Sequence, residues 1–327
     1  MLFLLILIGG ATRLTESGLS ITEWKVVSGV VPPLTAEQWD AEFARYRQIP
    51  QYQAIHAGMT VEQFKGIFLW EYLHRLWARL VTVAFAIPLI WFAVKGMVPR
   101  PMRGRLWLLL LLLGLQGALG WFMVSSGLSV RTEVSQYRLA AHFAAALLIY
   151  GATVWTAADL LARPRNDGSA QWRTTRRALT MLAALTVVTA IAGAFVAGLR
   201  AGKMYNTFPL MGGRVVPAGY LSSASWWRNL FENPIAAQFN HRLLALLTLV
   251  SVLAGWIWSR GRPLPLPASR AIGLFAAAAL LQVALGIATL LLVVPVALGV
   301  AHQGGAVLLV TTAILAVHSL SRKSLGH

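Results

Sequence analysis

The chain has 327 residues, 57% of them hydrophobic and only 12% charged, with a formal net charge of +17. A soluble domain carries roughly a quarter charged residues, so a single water-soluble core is excluded and the long apolar blocks read as membrane spans. The basic residues sit in short loops between those blocks, as bilayer orientation requires, which points away from a nucleic-acid partner; the absence of cysteine excludes disulfides, thiolate metal sites and Cys-ligated iron–sulfur clusters.

A helix needs about 20 apolar residues to cross the hydrocarbon layer. The opening block, residues 1–11, is too short and lacks the basic start of a signal peptide. It reads as the outer end of a first helix whose beginning is missing. The polar stretch 13–66 follows. Within it, residues 35–46 have a capping Thr35 and acidic residues in the first turn, which predicts a short surface helix. Seven spanning blocks come next, at 67–94, 106–124, 139–161, 178–199, 235–258, 271–294 and 298–320. With the first helix, eight spans are expected.

Lys95, Arg100, Arg103 and Arg105 follow the second span, and Arg163, Arg165, Arg173, Arg176 and Arg177 the fourth. Arg260, Arg262 and Arg270 follow the sixth, and Arg322 and Lys323 the eighth. The positive-inside rule puts these loops and both termini in the cytoplasm. Segments 13–66 and 200–234 then face outward.

The two halves repeat each other. Glu71-Tyr-Leu-His74-Arg75-Leu-Trp-Ala78 matches Gln238-Phe-Asn-His241-Arg242-Leu-Leu-Ala245. Val30-Val31-Pro32 matches Val215-Val216-Pro217. Gln116, Ala118-Leu119-Gly120 and the later Ala141-His142 match Gln282, Ala284-Leu285-Gly286 and Ala301-His302. Each half has an even number of spans, so the repeats are parallel, not inverted. The expected fold is an all-α polytopic membrane protein of eight transmembrane helices, arranged as two parallel four-helix bundles in tandem. The halves are residues 1–161 and 162–327.

Four of the seven histidines lie inside spans: His74, His142, His241 and His302. Each sits in the outward third of its helix, two in each half. A lone intramembrane histidine more often bonds helix to helix, but an ionisable group in a span is a functional candidate by default. Four at one depth, paired by a repeat, favour ligation. Two facing histidines can hold haem iron from both axial sides, in the core of a four-helix bundle. Zinc wants three or four protein ligands, and copper wants methionine or further histidines nearby. Gly117, Gly120, Gly286, Gly304 and Gly305 offer close approach to a flat macrocycle or, equally, ordinary helix packing. His56, His318 and His327 read as surface residues; His318 is 16 residues beyond His302, about 24 Å along a helix.

Glu71 lies three residues before His74, on the same helical face, where the second half has Gln238. A buried carboxylate there can relay a proton, or it can simply pair with Arg75 or Arg79. Arg75 and Arg242 suit haem propionates or lipid headgroups. The asymmetry suggests a reactive first half and a second half that only holds a cofactor.

These residues carry a family resemblance. Thr12-Arg-Leu-Thr-Glu-Ser-Gly-Leu-Ser-Ile-Thr-Glu-Trp24 resembles the first outer-loop signature of haem A synthases, and Glu71-Tyr-Leu-His74-Arg75 resembles their Glu-x-x-His motif. Gly198-Leu-Arg-Ala-Gly-Lys-Met-Tyr-Asn-Thr-Phe-Pro-Leu-Met211 resembles the second-half loop signature. The likeness is to the mitochondrial and alphaproteobacterial type. Other branches carry a cysteine pair that this sequence lacks, so no thiol step is expected.

The resemblance implies oxidation of the C8 methyl of haem O to a formyl group, giving haem A for terminal oxidases. It implies that His74 and His142 flank the substrate haem, that His241 and His302 ligate a resident haem b, and that Glu71 is the catalytic carboxylate. The implied setting is a bacterial cytoplasmic membrane, or the mitochondrial inner membrane in a eukaryote. The implied partners are haem O, the haem O synthase that makes it, and a membrane or soluble electron donor. The alternatives are a di-haem b-type electron-transfer protein, which would usually place haems near both faces, and a non-catalytic haem transporter or delivery protein.

Overall fold

A computed structural model describes residues 1–25, 28–129, 131–161 and 171–321. The described residues are helical apart from connections and one isolated β-bridge, Met211 to Arg214. The elements are α1 (Leu2–Leu14), α2 (Ala36–Tyr46), α3 (Pro50–Ile55), α4 (Val61–Val94), α5 (Arg100–Ser125), α6 (Gln136–Leu161), α7 (Arg173–Gly198), α8 (Trp226–Phe231), α9 (Pro234–Arg260), α10 (Leu266–Leu291) and α11 (Val296–Ser319). Seven of them, α4, α5, α6, α7, α9, α10 and α11, are long and apolar enough to cross a membrane. The apolar α1 has 13 residues. The chain is therefore a polytopic helical membrane protein. Of the residues named from sequence, Arg163, Arg165, Arg322, Lys323 and His327 lie outside the described residues.

The helices begin earlier than the apolar blocks. Proline in the first turn of α5, α9 and α10 starts each ahead of its apolar block, because the missing N–H is unbonded there anyway. α4 begins six residues before its predicted start. A capping box joins Thr60 and Gln63, and buried Phe64 and Phe68 turn toward the neighbouring α2. The predicted helix at 35–46 forms as α2, with Thr35 capped reciprocally by Gln38. α10 stops three residues short of its predicted end, because Val293 and Val294 turn into the left-handed region (φ 62° and 58°).

The chain divides into two compact units, Met1–His142 and Phe143–His327. In the first, α1, α2 and α5 all pack on α4. Its buried core gathers Leu19, Phe43, Tyr46, Phe64, Phe68 and Val134. His56 is not a free surface residue. Its Nδ1 lies 2.6 Å from the hydroxyl of Tyr46, a residue with no exposed surface, and its ring is mostly covered. Burial pushes the Tyr46 phenol well above its usual range.

In the second unit α7 packs on α9, α9 on α10, α10 on α11, and α11 on α7. These four helices close a ring around an apolar core of Val252, Phe275, Ala276, Ala279, Leu309 and Ala313. The part of α6 in this unit reaches α11 through Tyr150, whose hydroxyl is 2.8 Å from Thr311 Oγ1. His318 corrects a second expectation. It is 4% exposed, 2.8 Å from the Asp159 carboxylate, and edge-on to Trp155. The sequence distance put it at a helix end, where packing by α6 was invisible.

α9 starts at Asn233, whose Oδ1 accepts from the amides of Ile235 and Ala236. Its Nδ2 donates to the carbonyls of Gly219 and Tyr220, so one side chain both caps α9 and holds the preceding connection. Asn233→Ala is expected to cost about 1–2 kcal/mol, read as a lower unfolding temperature in detergent. An unchanged transition would show that neither role matters.

Candidate functional site

The four intraspan histidines lie near the starts of their helices. His142, His241 and His302 fall within about the first two turns of α6, α9 and α11, and His74 is about four turns into the longer α4. Each ring rests against a glycine of a neighbouring helix. An added Cβ would lie 3.2 Å from His74 Nε2 at Gly9 and 3.1 Å from His142 Cε1 at Gly120. The corresponding distances are 3.0 Å from His241 Cε1 at Gly193 and 2.8 Å from His302 Cε1 at Gly286. Glycine is therefore what admits each imidazole between helices. Of the glycines named from sequence, Gly120 and Gly286 do this, whereas Gly117 faces open space.

Gly286→Ala is expected to overpack the ring of His302, costing about 1–3 kcal/mol. Gly117→Ala is expected to be silent. Thermal unfolding in detergent compares them, and equal behaviour would contradict the packing.

In the second unit, His241 and His302 stand on helices at opposite corners of the ring. Their ring centroids are 6.4 Å apart, with planes at 83°. Two metal–imidazole bonds of about 2.0 Å each, plus the two ring half-widths, sum to roughly 6 Å. The pair therefore has the separation of two axial ligands on one metal. His241 Nδ1 lies 3.1 Å from the carbonyl of Thr189. A carbonyl only accepts, so Nδ1 carries the proton and Nε2 keeps the lone pair that a metal needs. His302 is held differently, by Gln282. That amide nitrogen is 3.2 Å from Nδ1 and 2.9 Å from the main-chain carbonyl of His302.

In the first unit, Gln116 holds His142 the same way, at 3.1 Å and 2.8 Å. Among the described residues, the ring of His74 has no hydrogen bond, unlike its counterpart His241.

Glu71 is 2% exposed and receives four hydrogen bonds. Its Oε2 accepts from the Ser20 hydroxyl and the Ile21 amide, both at 2.8 Å. Its Oε1 accepts from Arg75 Nε and Nη2, at 3.1 and 2.6 Å. Arg75 in turn donates to the carbonyls of Ile21 and Glu23. In the second unit, the Gln238 amide and Arg242 both donate to the carbonyl of Tyr205, and Arg242 also to that of Thr207. Both arginines thus bind a signature segment back onto the histidine-bearing helix. For Glu71, the pairing with Arg75 is the one the structure contains.

Sequence reading gave no role to Gly9, Gly193, Gln116 or Gln282. The repeat held the signal. Gly9 and Gly193 are 184 residues apart, as are Glu16 and Arg200. The latter two take left-handed backbone (φ 58° and 51°) just past the ends of α1 and α7. Aligning those helix ends would have paired the glycines.

A family model described as cytochrome oxidase assembly protein matches residues 1–314. A heme A synthase of Parvibaculum lavamentivorans is 47% identical over 323 residues, covering 98% of this chain and 92% of the relative. One of Rhodospirillum centenum is 51% identical over 322 residues, with 98% and 85% covered. One of Nitrosospira multiformis is 46% identical over 324 residues, with 99% and 91% covered.

Proposed function

The chain belongs to the haem A synthase family, and on that premise we propose how its two halves divide the work. The reaction is oxidation of the C8 methyl of haem O to a formyl group, giving haem A for terminal oxidases. The chain is an oxidoreductase of the membrane. We assign residues 1–161 to the reaction and residues 162–327 to a resident haem b, each half a four-helix bundle and the two parallel. His241 and His302 would hold the iron of the resident haem. His74 and His142 hold haem O by its iron. The observation that carries this reading is the 6.4 Å separation of the His241 and His302 rings across a closed four-helix ring.

When bound, the resident haem supplies one-electron transfer, at a potential set by its two ligands and their hydrogen bonds. The chain's own residues do the rest. His74 and His142 orient the substrate so that one methyl edge is presented. Each of two successive hydroxylations replaces one C–H bond of that methyl by C–OH, a two-electron oxidation whose oxidant and oxygen atom come from outside the chain; the resulting geminal diol loses water to leave the aldehyde. The last step needs no oxidant. It needs a proton taken from one hydroxyl and given to the other, which then leaves as water. We assign this transfer to Glu71, whose Oε2 already sits 2.8 Å from the Ser20 hydroxyl. Gln238, the neutral counterpart, has no such capacity.

The basic connections after α4, α6 and α9 orient those ends to the cytoplasm by the positive-inside rule. The histidine ends then face the periplasm, or the intermembrane side in a mitochondrion. Haem O comes from the farnesyl-transferring haem O synthase, and an electron donor completes the cycle. Purified protein given haem O and a reductant under air is expected to yield a formyl-bearing pigment on extraction. Recovery of haem O unchanged, with the resident haem in place, would count against the reaction.

A further inference from the structure

We propose that Thr189 and Thr248 are positioning residues for His241. Their hydroxyls clamp α7 to α9 so that one main-chain carbonyl stays on the ring, and this clamp makes the second unit's haem the permanent one. It rests on the haem-ligand reading above.

Thr189 meets α9 at two points. Its carbonyl accepts from His241 Nδ1–H at 3.1 Å. Its hydroxyl lies 2.7 Å from that of Thr248, about two turns beyond His241 on the same helix. Each hydroxyl is also anchored to its own helix. Thr189 Oγ1 is 2.9 Å from the carbonyl of Leu185, and Thr248 Oγ1 is 2.7 Å from that of Leu244. Two protons suffice: one hydroxyl donates to the other, which donates to the carbonyl behind it. Thr248 is 3% exposed, so the pair is shielded from water.

The glycine one turn further along α7 completes the arrangement. In a helix the carbonyl of Thr189 accepts from the amide of Gly193, and its second lone pair is left for the imidazole. A Cβ on Gly193 would lie 3.0 Å from His241 Cε1 and 3.5 Å from Nδ1. The bare glycine is therefore what lets the ring reach the carbonyl.

The first unit has neither hydroxyl. With Gly9 aligned on Gly193 and His74 on His241, Leu5 stands where the second unit has Thr189, and Val81 where it has Thr248. Leucine and valine side chains form no such bond. The ring of His74 is also turned differently. Its atom nearest the Gly9 Cβ position is Nε2, at 3.2 Å, where His241 places Cε1 against Gly193. The contrast suits the traffic through each half. A resident haem must outlast many turnovers, whereas a product must leave. An acceptor fixed at Nδ1–H makes Nε2 a stronger donor to iron and holds the ring in its ligating rotation. A ring without that acceptor releases iron more readily.

The test uses the full chain in detergent and follows the resident haem through its midpoint potential and its rate of loss to excess apo-globin. Thr189→Val and Thr248→Val each keep the shape and remove one hydroxyl. Either is expected to speed haem loss about 10-fold, the lower end of what losing a partner of a metal ligand costs. Either should also raise the potential, because the carbonyl drifts and the imidazole becomes a poorer donor. Both together should do no more than one alone, since they break the same bond. Thr189→Ser keeps the hydroxyl and is expected to restore both values. Gly193→Ala pushes the ring off the carbonyl with both hydroxyls intact, and should move the potential the same way. An unfolding temperature that falls while the potential stays put would show a purely structural role and overturn the proposal, as would no change at all. His241→Ala is the separate control: a low-spin spectrum that survives it would overturn the ligand assignment itself.

Discussion

Replacing His241 or His302 with alanine is expected to abolish the low-spin b-type spectrum of the purified protein. Low-spin iron needs both axial positions filled by strong ligands. Removing either ring leaves one position to water or to nothing, so the expected effect is complete loss of that signal, with the haem high-spin or gone. Folding is expected to survive. The second unit closes through Val252, Phe275, Leu309 and Ala313, none of which depends on the rings. His74→Ala and His142→Ala are expected to keep the low-spin signal and lose haem O turnover. A spectrum unchanged in His241→Ala, or lost equally in all four variants, would overturn the division between halves.

Glu71→Gln is expected to cut turnover by roughly 100-fold or more, the usual contribution of positioned acid–base catalysis, while leaving the resident haem at its normal content. The conservative variant matters because Glu71 has two jobs. It fixes Ser20 and Ile21 to α4, and it neutralises Arg75 in a buried setting. Glu71→Ala would leave that arginine without its carboxylate, and breaking a buried pair from one side typically costs about 3–5 kcal/mol. Loss of activity in the alanine variant would therefore confound chemistry with folding. Glutamine keeps an acceptor, and Gln238 is itself 2% exposed at the matching site, so an amide is tolerated there. Arg75 also retains its bonds to the carbonyls of Ile21 and Glu23. If Glu71→Gln keeps full turnover, the carboxylate is only an anchor. If turnover and haem content fall together, it supports the fold and not the reaction.

Much of this was legible in the sequence because bilayer physics writes a simple code. Apolar runs of span length gave all seven long helices. The repeat gave the four histidines and the contrast of Glu71 with Gln238. Helix starts were less legible, since Thr60, Pro234 and Pro267 extend helices past the apolar blocks by local backbone chemistry. Tertiary partners were not legible at all. Nothing in the string places Asp159 on His318, or Tyr46 on His56. Nor does composition say that Arg75 and Arg242 would turn to the carbonyls of their own connecting segments.

The glycines show the boundary most clearly. Gly120 and Gly286 were picked for small size and lie against imidazoles, but so do Gly9 and Gly193, which resemble any small residue in an apolar helix. Only a three-dimensional neighbour distinguishes them from Gly117.

The claim that each half grips one flat iron macrocycle, of two different kinds, is tested most directly by counting pigments. The chain would be purified from cells that make haem O, and its haems extracted, separated and quantified per polypeptide. The prediction is one haem B per chain together with haem O or haem A at up to one per chain. Two haem B per chain with no farnesylated pigment would contradict it and would describe an electron carrier instead.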